Sequence, residues 1–478
     1  MKVTVSVVIE ADGRAPRVVA DVFSMERGAI GPDTLGLRLE EANGLLSALQ
    51  QTVVDEQVNA ALAAQADCPD CGEAHRHKDG RRIVVRSLYG TLHLRSPRWW
   101  HCTCWPQRTR TFSPLAALLP ERTTPELAYL EAKFSGLATY GLSARLLGEV
   151  LPLGRRLHAT TLRRQAHAVA QRLEDELGDE RWSFIDTCQR DRDALARPDL
   201  PLVVSLDGGY VHSAEQRSRR DGWFEVIAGR SAPAEGPAKC FGFVQTYDTK
   251  PKRRLFDLLA TQGMTANQAV TFITDGGDDV RDLPLYLNAE AEHLLDWFHI
   301  TMRLTVLANM AKSLRPATPD EKDLPPPPEP AAEAAGDLRR LKWFCWHGNV
   351  VAALDTITSI EFAVEVAEPS AEQEKFLKAL REFDTYIRAN AWSIPNYGER
   401  YRAGEPISSS LAESAVNQVI SKRMVKKQQM RWSPRGAHLL LQVRTRALND
   451  DLTGDFARWY PGFTHTSQLS PDDQSIAA

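Results

Sequence analysis

The middle of the chain alternates short apolar runs with turn residues. Three consecutive runs, "LVVSLDGGYVHS", "GWFEVIAGRS" and "KCFGFVQTYD", are rich in β-branched and aromatic residues and predict strands. The stretch "KRRLFDLLATQGM" has apolar residues at helical spacing, and "AVTFITDGGDDV" predicts another strand. A further short strand is expected in "AEHLLDWFHI". The pattern from about residue 200 to 300 therefore predicts a mixed α/β region.

The regions on either side have different patterns. In the N-terminal third, "RRIVVRSLYGTLHLRSPRWWHC" alternates apolar and polar residues around a glycine turn and predicts a β-hairpin. From about residue 124, apolar residues recur at helical spacing and predict three short helices. Beyond residue 300 the pattern is helical again, interrupted by the proline-rich "DLPPPPEPAAEAAGD".

Length and composition narrow the class of protein. A chain of 478 residues predicts two to four domains, and its 43% hydrophobic residues are spread in short runs rather than in a membrane span. The N-terminus lacks the layout of a signal peptide, so we expect a cytoplasmic protein with no membrane partner. The formal net charge of −4 excludes a global electrostatic preference for nucleic acid, so any such binding must come from local patches.

Four of the seven cysteines form two close pairs. Cys68 and Cys71 make a C-x2-C knuckle, and the predicted hairpin would bring Cys102 and Cys104 back to it. Four thiolates close a tetrahedral Zn²⁺ site with no vacant position, which predicts a structural metal. The neighbouring histidines at positions 75, 77 and 101 leave open that one of them replaces a cysteine.

The three helices predicted after residue 124 suggest a helix-turn-helix. The last of them would present Arg163 and Arg164 near its N-terminal half, where a recognition helix meets the major groove of DNA. A helical bundle used for dimerisation has similar periodicity and remains the alternative.

Three strands, a helix and another strand follow the order of a ribonuclease H-like core. The predicted fold class is multidomain α/β: this core with a helical insertion, preceded by a small zinc-binding module and a helix-turn-helix-like segment. The predicted boundaries are an N-terminal strand and helix segment at 1–66, a zinc-ribbon-like module at 67–115, the DNA-binding segment at 116–180, the first part of the core at 200–300, the insertion at 301–400, the last part of the core at 401–450 and a C-terminal tail at 451–478.

Carboxylates follow two of the predicted core strands. Asp207 and Asp275 are each followed by two glycines, which by themselves indicate a polar turn. In a ribonuclease H-like core the two strands are neighbours, so the carboxylates would repel each other unless a divalent cation lies between them. Asp296 and His299 follow in "DWFH", where His299 is either a core histidine or part of the site.

A third carboxylate is expected after the insertion. Serines 408 to 410 are predicted to cap a helix that contains Glu413 and continues into a basic cluster. Positive charge beside a metal site would contact phosphate, although a solvated basic face is the ordinary alternative. The cluster comprises Lys422, Arg423, Lys426, Lys427, Arg431 and Arg435.

Taken together, the strings "SLDGGY", "TDGGDD", "DWFH" and "MRWSPRGA" resemble the DDE transposases of bacterial insertion sequences, in particular the Kra-type insertion-sequence family. The resemblance covers nearly the whole chain. It implies that Asp207, Asp275 and Glu413 are the catalytic carboxylates and that Asp296 and His299 match a D-x2-H signature. Asp278 and Asp279 are nearby alternatives to Asp275.

The resemblance also implies chemistry and partners. Three carboxylates would bind two Mg²⁺ or Mn²⁺ ions for phosphodiester hydrolysis and transesterification. The expected partners are double-stranded DNA at the element's inverted-repeat ends and target DNA, bound by a homodimer or higher oligomer at the bacterial nucleoid. A ribonuclease H-like nuclease or resolvase without strand transfer, and a retired transposase acting as a DNA-binding regulator, remain the alternatives.

Overall fold

The protein is a mixed α/β chain that divides into two units. The computed structural model describes residues 1–10, 15–104, 111–153, 157–196, 198, 201–215, 222–277, 283–314, 330–365, 369–408, 414–424 and 430–463. Unit 1 comprises Met1–Val169 with Asp450–Ala478, and unit 2 comprises Ala170–Asn449. No helix among these described ranges is both long enough and apolar enough to cross a membrane.

Unit 1 combines two small antiparallel sheets with helices. Its strands are β1 (Lys2–Ile9), β2 (Arg17–Glu26), β3 (His77–Ser87), β4 (Gly90–Trp100) and β5 (Thr111–Phe112). Its helices are α1 (Leu39–Ala64), α2 (Pro114–Leu118), α3 (Pro125–Leu137), α4 (Tyr140–Val150) and the first part of α5 (Ala159–Glu176), with a last helix, Leu452–Trp459, near the C-terminus. Strands β3 and β4 form the hairpin that the alternating sequence predicts.

Helices α3, α4 and the start of α5 pack around a small apolar cluster. Leu147 and Leu162 are almost completely buried at its centre, with Phe134 against them. Burying a leucine side chain contributes about 2 kcal/mol, so these contacts stabilise the three-helix arrangement. The Thr139 hydroxyl accepts a hydrogen bond from the Leu142 N–H and begins α4, in the "YGLS" stretch.

Unit 2 contains a five-stranded sheet. The strands are β6 (Leu202–His212), β7 (Trp223–Ala232), β8 (Lys239–Val244), β9 (Val270–Thr274) and β10 (Ala291–Leu295), and their spatial order is β10-β9-β6-β7-β8. Strands β6, β7 and β8 are antiparallel neighbours, whereas β6, β9 and β10 run parallel. All five residues of β9 are buried, as expected for a central strand in a parallel arrangement.

Helices complete unit 2. They are the second part of α5, α6 (Gln189–Asp193), α7 (Pro251–Thr261), α8 (Trp297–Ala311), α9 (Pro330–Trp346), α10 (Val350–Val364), α11 (Ala371–Ala389), α12 (Tyr397–Arg402) and α13 (Pro434–Leu448), with short 3-10 turns at Leu283–Tyr286 and Ala391–Ser393. A π-helical segment, Asn417–Ser421, continues into Lys422–Met424. The helix of unit 1 at Leu452–Trp459 is α14. The predicted helical character of residues 301–400 is confirmed for the described part of that range.

The described residues of unit 2 include two large apolar clusters. One lies between α7 and the sheet and includes Val204, Phe272 and Leu255. The other joins α8 to α9, α10, α11 and α12, with Leu341 and Phe376 fully buried. Because Leu295 at the end of β10 belongs to this second core, the helices are packed directly against one end of the sheet.

Candidate active site and metal centre

Three aspartates lie in one row across three adjacent parallel strands: Asp207 in the middle of β6, Asp275 directly after β9 and Asp296 directly after β10. Continued past the last paired residues, the register of β6 with β9 brings Asp207 level with Asp275. The register of β9 with β10 likewise brings Asp296 level with Asp275. Neighbouring strands are about 4.8 Å apart, so the three side chains share one region of the sheet edge. We call Asp207, Asp275 and Asp296 the acidic row.

The surroundings of Asp207 disfavour its ionised form. Burial raises its pKa above the usual value, and the charges of Asp275 and Asp296 raise it further. His299 and the Gly208 N–H, which donates a 2.8 Å hydrogen bond to the carboxylate, lower it. A carboxylate held beside two others in a half-buried setting favours a bound cation, since the cation would offset this repulsion.

Asp296 and His299 belong to a helix start rather than to a strand. Strand β10 ends at Leu295, and Asp296 caps α8 by accepting a 2.8 Å hydrogen bond from the Phe298 N–H. The prediction of a strand through "DWFHI" is therefore wrong beyond Leu295. His299 lies on the first turn of α8, with its Nε2 3.7 Å from the second oxygen of the fully buried Asp296. The i, i+3 spacing explains why the two groups meet.

The helices of unit 2 hold the backbone of the acidic row. The Tyr386 hydroxyl, on α11, donates a 2.9 Å hydrogen bond to the carbonyl oxygen of Asp275. The Tyr397 hydroxyl, on α12, donates a 2.6 Å hydrogen bond to the carbonyl oxygen of Leu295, the residue before Asp296. These two phenols fix the strand ends from a region that lies far away in sequence.

The two glycines after Asp207 lie within β6 and do not form a turn, so the turn prediction is wrong. Gly208 and Gly209 pair with residues of β7. A Cβ on Gly208 would come within 2.5 Å of Glu225 Oε1, and one on Gly209 within 2.8 Å of Ile420 Cδ1. The absence of a side chain at both positions lets Glu225 and Ile420 approach β6 closely. The π-helical segment that contains Ile420 packs against β6 directly beside Asp207.

The segment before this π-helix carries the third predicted carboxylate. Glu413 lies outside the described residues, as do Asp278 and Asp279. The described chain resumes immediately after Glu413, and Val416 lies 3.5 Å from the position of a Cβ on Gly209. The chain thus contacts β6 at Gly209, two residues after Asp207, by the third residue after Glu413.

The four paired cysteines of unit 1 come together as one group, which we call the thiol cluster. The Sγ atoms of Cys68 and Cys104, and those of Cys71 and Cys102, are 3.3 Å apart, and Cys104 lies 3.9 Å from Cys71. All four sulfurs lie within 4.8 Å of one another. In a tetrahedral site with Zn–S bonds of 2.3 Å the sulfurs would be about 3.8 Å apart, so the cluster could hold a metal such as zinc.

Local structure preforms the thiol cluster. Gly72, with φ of +71°, lets the knuckle turn so that its N–H donates to the Cys68 carbonyl oxygen at 2.9 Å. The backbone N–H of Cys104 and the thiol of Cys71 lower the pKa of Cys102 to about 7, so this thiol ionises more readily than an ordinary cysteine.

The histidines near the thiol cluster have other contacts. His75 and His101 both pack against Phe112, with ring centroids 5.0 and 4.7 Å from it. The group of ligand atoms that meets the 4.8 Å distance is formed by cysteines alone. The geometry therefore favours four cysteines over a set that includes a histidine.

A second group of possible ligands, Glu174, Asp248 and His438, is already occupied by a cation from the protein. The Arg254 guanidinium lies 2.9 Å from Glu174 and 2.8 Å from Asp248. His438 Nε2 is 3.4 Å from Glu174, and its Nδ1 faces the backbone N–H of Val244 at 3.5 Å. Since an arginine stays protonated, this buried network balances its charge without a metal.

The predicted DNA-binding residues differ in exposure. Arg163 and Arg164 on α5 are exposed, and so are Lys422, Arg431 and Arg435. Arg423 is 1% exposed, with its guanidinium 5.5 Å from the ring of Trp432, so its burial removes it from any surface that phosphate could reach in this conformation. Lys426 and Lys427 lie outside the described residues.

Sequence reasoning missed Tyr386, Tyr397 and the Arg254 network. None of them lies in a local motif, because each meets its partners only through the folded chain. Comparisons with protein-family models and with curated proteins found no match for this chain.

Proposed function

We propose that the protein is a DNA transposase of the DDE type, which binds the ends of an insertion sequence and catalyses metal-dependent strand cleavage and strand transfer. The observation that carries the proposal is the acidic row: three carboxylates level with one another on adjacent parallel strands, one within β6 and two directly after β9 and β10. Hard carboxylate oxygens are the ligands that Mg²⁺ prefers. The sheet order, with three antiparallel strands followed by two parallel ones, supports a ribonuclease H-like core.

We expect the residues of the row to have different roles in catalysis. Asp207 and Asp275, together with Glu413, would hold Mg²⁺ or Mn²⁺. When bound, such ions activate a water or a DNA 3′-hydroxyl and stabilise the leaving oxygen. Asp296 is better suited to orienting His299, because its other oxygen is committed to capping α8. His299 could then hold a proton at Nε2 beside the row.

Features of unit 1 support DNA binding and a structural metal. The packing of α3, α4 and α5 and the exposure of Arg163 and Arg164 are compatible with a helix-turn-helix. We propose that the thiol cluster holds one structural Zn²⁺. Processing two element ends together requires at least a dimer, and such a protein would act at the nucleoid in the bacterial cytoplasm.

The test uses the purified full-length chain and duplex DNA from the regions that flank its reading frame. With Mg²⁺ we expect a nick that frees a 3′-hydroxyl, followed by a joined product with target DNA. Asp207→Asn and Asp275→Asn should bind the duplex but form neither product. Asp337→Asn, on α9, is the matched control and should remain active.

Other outcomes would point to other functions. Cleavage without joining would indicate a nuclease or resolvase, and binding without cleavage by the wild-type chain would indicate a DNA-binding regulator. Full strand transfer by Asp207→Asn would contradict the assigned role of the acidic row.

A further inference from the structure

Arg303 is an exposed cation on the helix that starts at the acidic row. It lies four residues after His299 on α8, so the two side chains project from the same face of the helix. Its guanidinium carbon is 4.1 Å from the centroid of the Tyr386 ring. This contact aligns the planar guanidinium and restricts its motion, while its position on the surface leaves it open to solvent.

Tyr386 connects this cation to the acidic row. The same phenol that contacts Arg303 donates its hydroxyl hydrogen bond to the carbonyl oxygen of Asp275. Burial raises the pKa of Tyr386, Asp275 and Asp296 raise it further, and Arg303 lowers it. One phenol therefore lies within electrostatic reach of the guanidinium and of two carboxylates of the row.

Arg303 differs from three other arginines in the same helical region, each of which forms an ion pair. Arg381 pairs with Glu361, Arg388 with Asp384, and Arg400 with Glu292. For Arg303, none of the carboxylates in the described part of the chain lies within ion-pair distance. The protein thus holds one guanidinium against the Tyr386 ring and hydroxyl, on the helix that begins at the acidic row, and leaves its remaining hydrogen-bond donors for another anion.

We propose that Arg303 binds a phosphate of the DNA strand that lies at the acidic row, and that Tyr386 is the residue that positions it. The inference rests on the proposed function, since it takes DNA as the substrate of the row. A guanidinium matches a phosphate with two parallel N–H donors, and its charge offsets the repulsion between phosphate and the aspartates. Arg303 is then a substrate-binding residue supplied by the helical insertion.

DNA binding by the full-length chain, measured by fluorescence anisotropy with Ca²⁺ in place of Mg²⁺, tests the contact. Losing one phosphate contact reduces the slope of log K against log salt by about 1 and weakens binding uniformly across sequences. We therefore expect Arg303→Gln to show this reduction on both element-end and unrelated duplexes. Arg339→Gln, exposed on α9 and outside any ion pair of the described residues, is the matched control and should keep the wild-type slope.

Conservative variants of Arg303 and Tyr386 distinguish the effect of the positive charge from the effect of the guanidinium's geometry. Arg303→Lys should keep the slope, because the charge remains, but should cleave more slowly at saturating DNA, because the two-donor geometry is lost. Tyr386→Phe keeps the ring and should keep the slope, whereas Tyr386→Leu removes the ring and should lower the cleavage rate at saturating DNA. A purely structural role for Arg303 would change thermal unfolding and leave the salt slope intact.

The outcomes distinguish this inference from the proposed function. A wild-type slope and cleavage rate in Arg303→Gln, with Asp207→Asn inactive, would overturn the inference and leave the transposase proposal standing. A wild-type chain that binds DNA without cutting it would overturn the proposed function, and a reduced slope in Arg303→Gln would still support the phosphate contact. Failure of the wild-type chain to bind duplex DNA would overturn both.

Discussion

The acidic row and the thiol cluster are two candidate metal sites of opposite character. The thiol cluster contributes four ligand atoms within 4.8 Å of one another, all from described residues of unit 1. The acidic row spreads its carboxylates across three strands of unit 2 and is not among the described groups that meet this distance. The four sulfurs of the thiol cluster all come from described residues, whereas Glu413, the predicted third catalytic carboxylate, lies outside them.

This difference fits the proposals that the thiol cluster holds a structural metal and that the acidic row is a catalytic site. Four cysteines leave a tetrahedral metal no free position, so the metal's binding energy goes into folding. In the acidic row, burial and like charges raise the pKa of Asp207, which means that its ionised carboxylate opposes folding. Strain of this kind, which a ligand relieves, is common at functional sites.

The largest expected effect is the loss of cleavage activity in Asp207→Asn, which should occur without a loss of stability. Asp207→Asn should lower the rate of cleavage at least about 1,000-fold, because it removes about 4 kcal/mol of transition-state stabilisation at a metal ligand. The melting temperature should stay the same or rise, since the substitution removes a carboxylate that its neighbours repel. Parallel cleavage and thermal-unfolding measurements check this. A large loss of stability together with activity would show that Asp207 is structural, which would remove the contrast with the thiol cluster.

At the thiol cluster, by contrast, we expect a substitution to reduce stability. Elemental analysis of protein purified without chelator should give one zinc per chain, and Cys102→Ser should lose it. We expect the unfolding of unit 1 to be destabilised by about 3 kcal/mol or more, because the metal's binding energy contributes to folding. Cys188→Ser, at an exposed cysteine outside the cluster, is the control and should keep both zinc and stability. Zinc-free wild-type protein with unchanged stability would contradict the assignment.

The two sites were also predictable from sequence to different degrees. The spacing of Cys68 and Cys71, and the hairpin that returns Cys102 and Cys104, are local features, so pattern alone could bring the four thiols together. For the acidic row, the sequence shows where the aspartates lie along the chain but not which strands are neighbours. Their meeting could be predicted only by assuming the strand order of a ribonuclease H-like core, and that order depends on contacts between distant segments.

Local rules failed where distant segments pack closely. "DGG" predicts a turn, but pairing with β7 extends β6 through Gly208 and Gly209, and both glycines accommodate side chains from other segments. Arg423 belongs to a basic run by composition and is nevertheless buried beside Trp432. By contrast, the helix start at Asp296 had a local signal, because aspartate is a favoured N-cap residue.

In the Arg254 network, an arginine of the protein takes the place that a metal ion would have between Glu174 and Asp248. Despite the opposing effect of burial, hydrogen bonds and charges from His438 and Arg254 lower the pKa of Glu174 to about 2, from an ordinary value of 4.5. The resulting stability is present above pH 4.5 and is lost as the pH falls towards 2. Glu174→Gln should therefore lower the free energy of unfolding by about 3 kcal/mol near pH 6, since it breaks a buried pair.

Denaturant unfolding from pH 6 to pH 2 measures this difference between wild type and Glu174→Gln. We expect the gap to close within the window from 4.5 to 2. Glu382→Gln, exposed on α11 and outside any ion pair of the described residues, is the control and should change the free energy of unfolding little at any pH. A gap that is independent of pH would mean that Glu174 acts through packing rather than charge.

The smallest effect on stability is expected at Gly209, where the acidic row meets the segment that follows Glu413. A Cβ there would lie 2.8 Å from Ile420 Cδ1, so Gly209→Ala must displace a flexible side chain, at a cost of about 1 kcal/mol. Gly336→Ala, in α9 with open space around its Cβ position, should instead be neutral or slightly stabilising.

If the row is completed by Glu413, Gly209→Ala should reduce cleavage more than DNA binding, because it shifts the approaching segment while all three aspartates remain. If Gly209→Ala and Gly336→Ala reduce cleavage equally, the approach of this segment to β6 does not matter for activity. The third carboxylate ligand of the acidic row would then have to come from another segment.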